Sequence, residues 1–157
     1  MRMKQYLIDT FKYNHWANKK LLEAILQLPD KKEPIRLYSH LITSQDKWFN
    51  RITKELDDVG LNWFGLVFSE EELSHQWQRS VGNWINYLEK NTEDEFKKHI
   101  QITKPDGKAL QVTINDVMLQ LNYHSIHHRA QINTLIRQQG IKPPLTDYIF
   151  TALKEVV

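Results

Sequence analysis

The sequence predicts an all-α fold built as a helical bundle, and three observations carry the prediction. Four long stretches place apolar residues at helical spacing. Glycine and proline number only five each in 157 residues, few for a chain made of turns and short strands. The first two helical stretches are joined by a few residues and the others by long segments, which permits crossovers and a bundle other than up-down-up-down. One hairpin and a short last helix complete a single expected domain over residues 1–157.

The first helix is expected over about Lys4–Leu28, ended by Pro29. Leu7, Phe11, Leu21, Leu22 and Ile25 fall on one side of it, with Asn14 and Asn18 inside the same stripe. Tyr13 and Trp16 face away, toward the C-terminal segment or a subunit interface. The second helix is expected over Pro34–Leu56, with Leu37, Leu41, Trp48, Phe49, Ile52 and Leu56 as its apolar arc and Pro34 in the first turn. Its short link makes it an antiparallel neighbour of the first. Residues 57–69 connect, with Gly60 and Gly65 as breakers and enough apolar content to pack down.

Ser69 before three glutamates starts the third helix, since carboxylates suit the positive end of a helix dipole. Leu73, Trp77, Val81, Trp84 and Leu88 stripe it to about Lys90. The period then becomes alternating, and Pro105-Asp106-Gly107 between two such runs predicts a hairpin. Thr113 with Asp116 resembles a capping box for the fourth helix, which runs to Gln139 and stops at Gly140. Leu145–Glu155 reads as the short last helix.

Composition excludes several functions. Lys+Arg is 21 and Asp+Glu is 19, a net charge of +2, too small for a nucleic-acid footprint. The chain has no cysteine, which excludes disulfides, thiolate zinc sites, iron–sulfur clusters and a cysteine nucleophile. A metal would have to be held by His, Asp, Glu or backbone groups. The longest apolar run, Trp63–Phe68, is far too short to span a membrane. With no hydrophobic core of a signal peptide near the start, a cytoplasmic protein is expected.

Three of the seven histidines fall within five residues of the fourth helix. His124 and His128 are spaced i,i+4, so their rings leave one face a turn apart, as one helix supplies two imidazoles to one metal. His127 points elsewhere. His128 lies inside the buried arc of Val117, Leu121, Ile132, Leu135 and Ile136, His124 on its edge, and Gln131 beside His124. Buried rings need partners, and a metal or a backbone carbonyl can serve. Ser125 after His124 replaces the glutamate of a zinc-protease motif. By periodicity alone, His40 lies on the polar edge of the second helix and reads as a surface residue. Asn14 and Asn18 are either satisfied hydrogen-bonders or pocket-lining groups. His15, His75 and His99 read as surface residues, and Trp77 and Trp84 as core.

Four segments in order, Tyr13–Leu22, Leu37–Leu41 with Trp48, His124–Ile132 and Pro143–Tyr148, give the chain a resemblance to the DinB/YfiT-like family. The first looks like Y-N-x-W-A-N-x-x-L-L, the second like L-x-x-H before a tryptophan, and the third like H-x-x-x-H-R-x-Q-I. Ala130 stands where glycine is usual, a small change on a helix. The resemblance implies an up-down-down-up four-helix bundle and one divalent metal held by His40, His124 and His128. This is opposite to the periodicity reading of His40. Together with the outward aromatics Tyr13 and Trp16 it implies a homodimer, and a role in a stress response is the non-catalytic expectation. The family name refers to induction by DNA damage and is no evidence of DNA binding.

Two functions compete. In the first, a metal with three imidazoles and an open position activates water or an external low-molecular-weight thiol. The reaction is then thiol transfer or hydrolysis on a small molecule held near Asn14, Trp48 and Gln131. In the second, a dimer binds metal or a small ligand without turnover. Imidazole sites accept zinc, nickel, copper, iron or manganese, with zinc or nickel expected first.

Overall fold

The computed structural model describes residues 2–56 and 62–155. Four long helices, α1 (Met3–Ile25), α2 (Lys32–Lys54), α3 (Glu70–Lys90) and α5 (Ile114–Gln138), form the bundle. Between α3 and α5 lie one turn of helix, α4 (Glu93–Phe96), and the strands β1 (His99–Thr103) and β2 (Ala109–Thr113). A last turn, α6 (Ile149–Ala152), follows α5.

Side-chain pairings fix the helix directions. Thr10 and Asn14 of α1 meet Asn122 of α5, and Asn18 meets Ser125, so these two helices run parallel. Phe11 stacks on Trp84, while Trp77 reaches His15, so α3 runs against α1. Tyr38 packs on Trp77 and Phe49 on Trp84, so α2 and α3 run together. The result is up-down-down-up. α1 packs on α3 and α5, and so does α2. The expected pairing of α1 with α2 as neighbours is therefore corrected: they are antiparallel but stand across the diagonal. They touch through the core, where the Tyr38 hydroxyl donates to the Asn18 carbonyl at 3.0 Å. The long connection between α2 and α3 leaves room for α3 to lie beside both.

The apolar stripes form one core. Leu7, Phe11, Leu21, Leu22 and Ile25 meet Leu73, Trp77, Val81, Trp84 and Leu88, all buried. The Trp84 indole also donates to the Gln45 carbonyl at 3.2 Å, so its polar edge is satisfied inside the bundle. Trp77 donates to His15 Nδ1 at 3.1 Å, which corrects the surface reading of that histidine: it is half-buried as the acceptor a core indole requires.

The element starts follow their sequence signals. Ser69 and Glu72 form a capping box on α3. The Thr113 hydroxyl accepts from the Asp116 amide at 3.1 Å and caps α5. Gly107 and Gly140 adopt φ of 81° and 76°, the left-handed backbone that the hairpin turn and the α5 terminus need. Ile100 pairs with Val112 and Ile102 with Leu110 in the antiparallel hairpin.

Several boundaries differ from expectation. α1 ends at Ile25 rather than at about Leu28, with Leu26 as its C-cap. α2 ends at Lys54, with Glu55 left-handed at φ 51°, so Leu56 lies beyond it and exposed. The last helix is only Ile149–Ala152 and buries no residue. Without a core to pack on, its apolar side chains do not extend it. The segment before it is held by Tyr13, whose hydroxyl donates to the Thr146 carbonyl at 2.8 Å and whose ring meets Tyr148 edge-on. The connection after α2 packs down in part, through half-buried Trp63 and Phe68, while Leu66 and Val67 are exposed. Gly60 lies outside the described residues.

Trp84 joins α3 to both α1 and α2, so Trp84→Ala should cost about 3–5 kcal/mol in urea unfolding. A loss below about 1 kcal/mol would contradict this account of the core.

Candidate metal centre

Parallel α1 and α5 are locked by a buried polar ladder. Asn14 Nδ2 donates to Asn122 Oδ1 at 2.7 Å, and Asn18 Nδ2 donates to Ser125 Oγ at 2.7 Å. Arg129, only 3% exposed, closes the ladder by donating to Asn14 Oδ1 at 3.1 Å, Asn18 Oδ1 at 2.8 Å and the Tyr13 hydroxyl at 2.9 Å. These partners are neutral. The guanidinium keeps its charge by hydrogen bonding and by lying over the Tyr13 ring. Removing it would strand the two buried amide oxygens of Asn14 and Asn18, each costing about 1–3 kcal/mol. The ladder fixes α5 in rotation, and with it the adjacent His128.

On the neighbouring face of α5, His124 and His128 face α2. His40 meets them from that helix, and it is 5% exposed. The surface reading from periodicity is corrected, because α2 is buried nearly all round from Leu37 to Gln45. Packed between α3 and α5, this stretch shows more than one face to the interior. His40 Nε2 lies 3.1 Å from His124 Nε2, which lies 2.9 Å from His128 Nε2. One ligand atom from each ring falls within 4.8 Å of the other two. His127, exposed, stays outside the cluster.

The far nitrogens decide which atoms carry hydrogen. His40 Nδ1 is 2.8 Å from the Trp63 carbonyl oxygen, so it must be the donor there. His128 Nδ1 donates to Gln131 Oε1 at 2.7 Å. Both rings therefore aim bare Nε2 lone pairs at His124 Nε2. A neutral His124 has at most one hydrogen at that atom, so protein hydrogen bonds cannot fully satisfy all three nitrogens. A single cation would. Two metal–nitrogen bonds of about 2.0–2.1 Å at a tetrahedral angle hold their nitrogens roughly 3.4 Å apart, close to the spacing found. The donor set fits a divalent ion, and outer carbonyls orienting ligand imidazoles are what such sites use.

Charge favours the same state. Burial, then His128 and His40, push His124 down to about 4. Burial lowers His40 against the pull of its Trp63 bond, and Arg36 and Lys47 lower it further. Burial likewise lowers His128. All three stay neutral, the form that ligates.

The segment after α2 covers the centre. Phe64 stacks flat on His40, with centroids 3.8 Å apart, and Arg36 lies over the Phe64 ring at 4.7 Å. Two clefts open beside the histidines, one on either side of Phe64. The first, of about 300 Å³, is lined by His40, Ser44, Trp48, Trp63, Phe64, Gln120, Leu121 and His124. The second, of about 420 Å³, has Arg36, Leu37, Gln131 and His128 in its walls. The structure thus brings Trp48 and Gln131 to the centre. It places Asn14 in the ladder, where both amide atoms are bonded, the satisfied alternative of the two considered. Sequence reasoning missed Trp63, Phe64 and the role of Arg129. Only Arg129 carried a usable signal, since it shares a helix face with Ser125 and Ile136.

The sequence model of the DinB family matches residues 1–155. The chain is 23% identical to Protein DinB of Bacillus subtilis (strain 168) over 168 residues, covering 93% of each chain. No solved structure matches.

A histidine with a lowered pKa favours the neutral fold fully above its ordinary value of about 6.5, and that stability is lost as pH falls through the lowered one. Metal-free protein should therefore lose stability as pH falls from about 6.5 toward 4. Zinc-loaded protein should keep its metal at about pH 6.5 and release it as pH falls toward the His124 value of about 4, read by elemental analysis after dialysis. Release centred above about pH 6.5 would contradict the burial argument.

Proposed function

The chain belongs to the DinB family, and we propose that it is a metal-dependent enzyme acting on a small molecule, with the ion held by His40, His124 and His128. The observation that carries this reading is the convergence of three Nε2 atoms with one hydrogen at most among them. Three imidazoles leave a divalent ion with room for a further ligand, the layout of reactive rather than closed sites. The chemistry such an ion supplies is Lewis acidity toward water or an external low-molecular-weight thiol, which suits hydrolysis or thiol transfer. The sulfur of a thiol reaction must come from outside, because the chain has no cysteine.

This chain's own residues then do the positioning. Trp63 and Gln131 accept from the outer nitrogens of His40 and His128 and hold both rings in the ligating tautomer. Phe64 covers the face of His40 and limits the approach of water. Trp48 in one cleft and Gln131 in the other offer walls to a substrate beside the ligands.

The alternative is a protein that binds metal or a small ligand without turnover. Cobalt(II) loading tests the open position that the first reading requires. With an open position, adding 2-mercaptoethanol should produce a new thiolate-to-cobalt absorption and change the visible bands. His128→Ala, folded by circular dichroism, should lose that response. An unchanged cobalt spectrum in the wild-type protein would show a closed site and favour the alternative.

A further inference from the structure

The two clefts beside the histidines differ in chemistry. The second is bordered by the Glu33–Arg36 ion pair, Gln131 and Thr134. The first is walled by rings: Trp48 and Trp63 lie 6.1 Å apart at 36°, and Phe64 and Leu121 complete the apolar surface. Among the described residues, only Ser44 and Gln120 add polar side chains to it besides His40 and His124.

These ring walls are fixed in advance. Arg51 lies over Trp48 at 4.9 Å and over Trp63 at 5.4 Å, and Lys47 lies over Trp63 at 5.1 Å. Lys47 also donates to the Asn62 carbonyl, tying the covering segment to α2. The Trp63 carbonyl is anchored by His40 at 2.8 Å. A cleft whose walls are already ordered loses little on binding. Its volume of about 300 Å³ suits a single small group.

We propose that this cleft is the binding site for an aromatic ring on the substrate, seated against Trp48 and Trp63 with its substituent turned toward His40 and His124. A ring can stack on or meet the edges of these indoles, which a saturated ring of equal size cannot do, so aromatic ligands gain about two- to tenfold per such contact. His40 and His124 belong to the same wall, so a ring-bound ligand carries its substituent to the ligand nitrogens. The inference rests on the function proposed above only for the reacting centre.

The test compares benzyl alcohol with cyclohexylmethanol, titrated into zinc-loaded protein and read by the five tryptophan indole N–H signals in ¹H–¹⁵N spectra. Benzyl alcohol should move the Trp48 and Trp63 signals and leave Trp16, Trp77 and Trp84 in place. Cyclohexylmethanol should bind about fivefold or more weakly. Trp48→Ala should weaken benzyl alcohol about tenfold, and Trp48→Phe should restore most of the affinity. Zinc content of the same sample separates the two proposals. Protein that holds zinc but shows no shift at Trp48 and Trp63, or binds both alcohols equally, overturns the aromatic site alone. Protein that binds benzyl alcohol at these two residues yet takes up no zinc supports the aromatic site and counts against the metal-dependent function.

Discussion

Three imidazole nitrogens face one another across a gap with too few hydrogens to bond them. His40 and His128 spend their Nδ1 hydrogens on carbonyl oxygens outside the cluster, at 2.8 and 2.7 Å. Their inner nitrogens are then acceptors, and His124 can serve only one of them fully. Protonating the cluster would add a hydrogen, but burial holds all three rings below the ordinary histidine range. A buried group left unsatisfied costs free energy that folding must recover elsewhere. A cation removes the conflict and turns a destabilising arrangement into one the fold can keep.

The surrounding bundle makes sense as the frame for that gap. Up-down-down-up topology sets α2 antiparallel to α5, so one histidine from α2 meets two from α5 at the same level. The neighbouring face of α5 is pinned to α1 by Asn14, Asn18, Asn122, Ser125 and the buried Arg129. Hydrogen bonds are more directional than apolar contacts, so this ladder sets the rotation and register of α5 more sharply than leucines could. Stiffness on one face of α5 becomes ligand geometry on the other. The covering segment closes the third side through Trp63 and Phe64.

Much of this was legible in the sequence because periodicity reports burial directly. The stripes of α1 and α3, the Ser69 and Thr113 caps and the Pro105-Asp106-Gly107 turn each have a local cause and appeared as expected. So did the shared face of His124 and His128. His40 was misplaced by its wheel because a helix packed on two neighbours buries more than one arc, and a single-face reading then mistakes interior for rim. The family resemblance corrected it. His15 was misread because its partner, the Trp77 indole, is 62 positions away. Trp63 and Phe64 were beyond reach for another reason. They sit in a connection without a period, and their roles arise only when the crossover is laid over His40. The diagonal placement of α1 and α2 was hidden for the same reason, since a short loop fixes direction but not which helix fills the space between.

The central claim is that the three histidines hold one divalent ion. Its most direct test is the metal content of protein purified without a histidine tag, set against the His124→Ala/His128→Ala double variant. The account predicts about one metal per chain in the wild type, and none in a variant that keeps its helical circular dichroism and cooperative unfolding. A wild-type protein that carries no metal and takes up none on titration with zinc, nickel, manganese or iron(II) would contradict it. The converging nitrogens would then be a feature of packing alone.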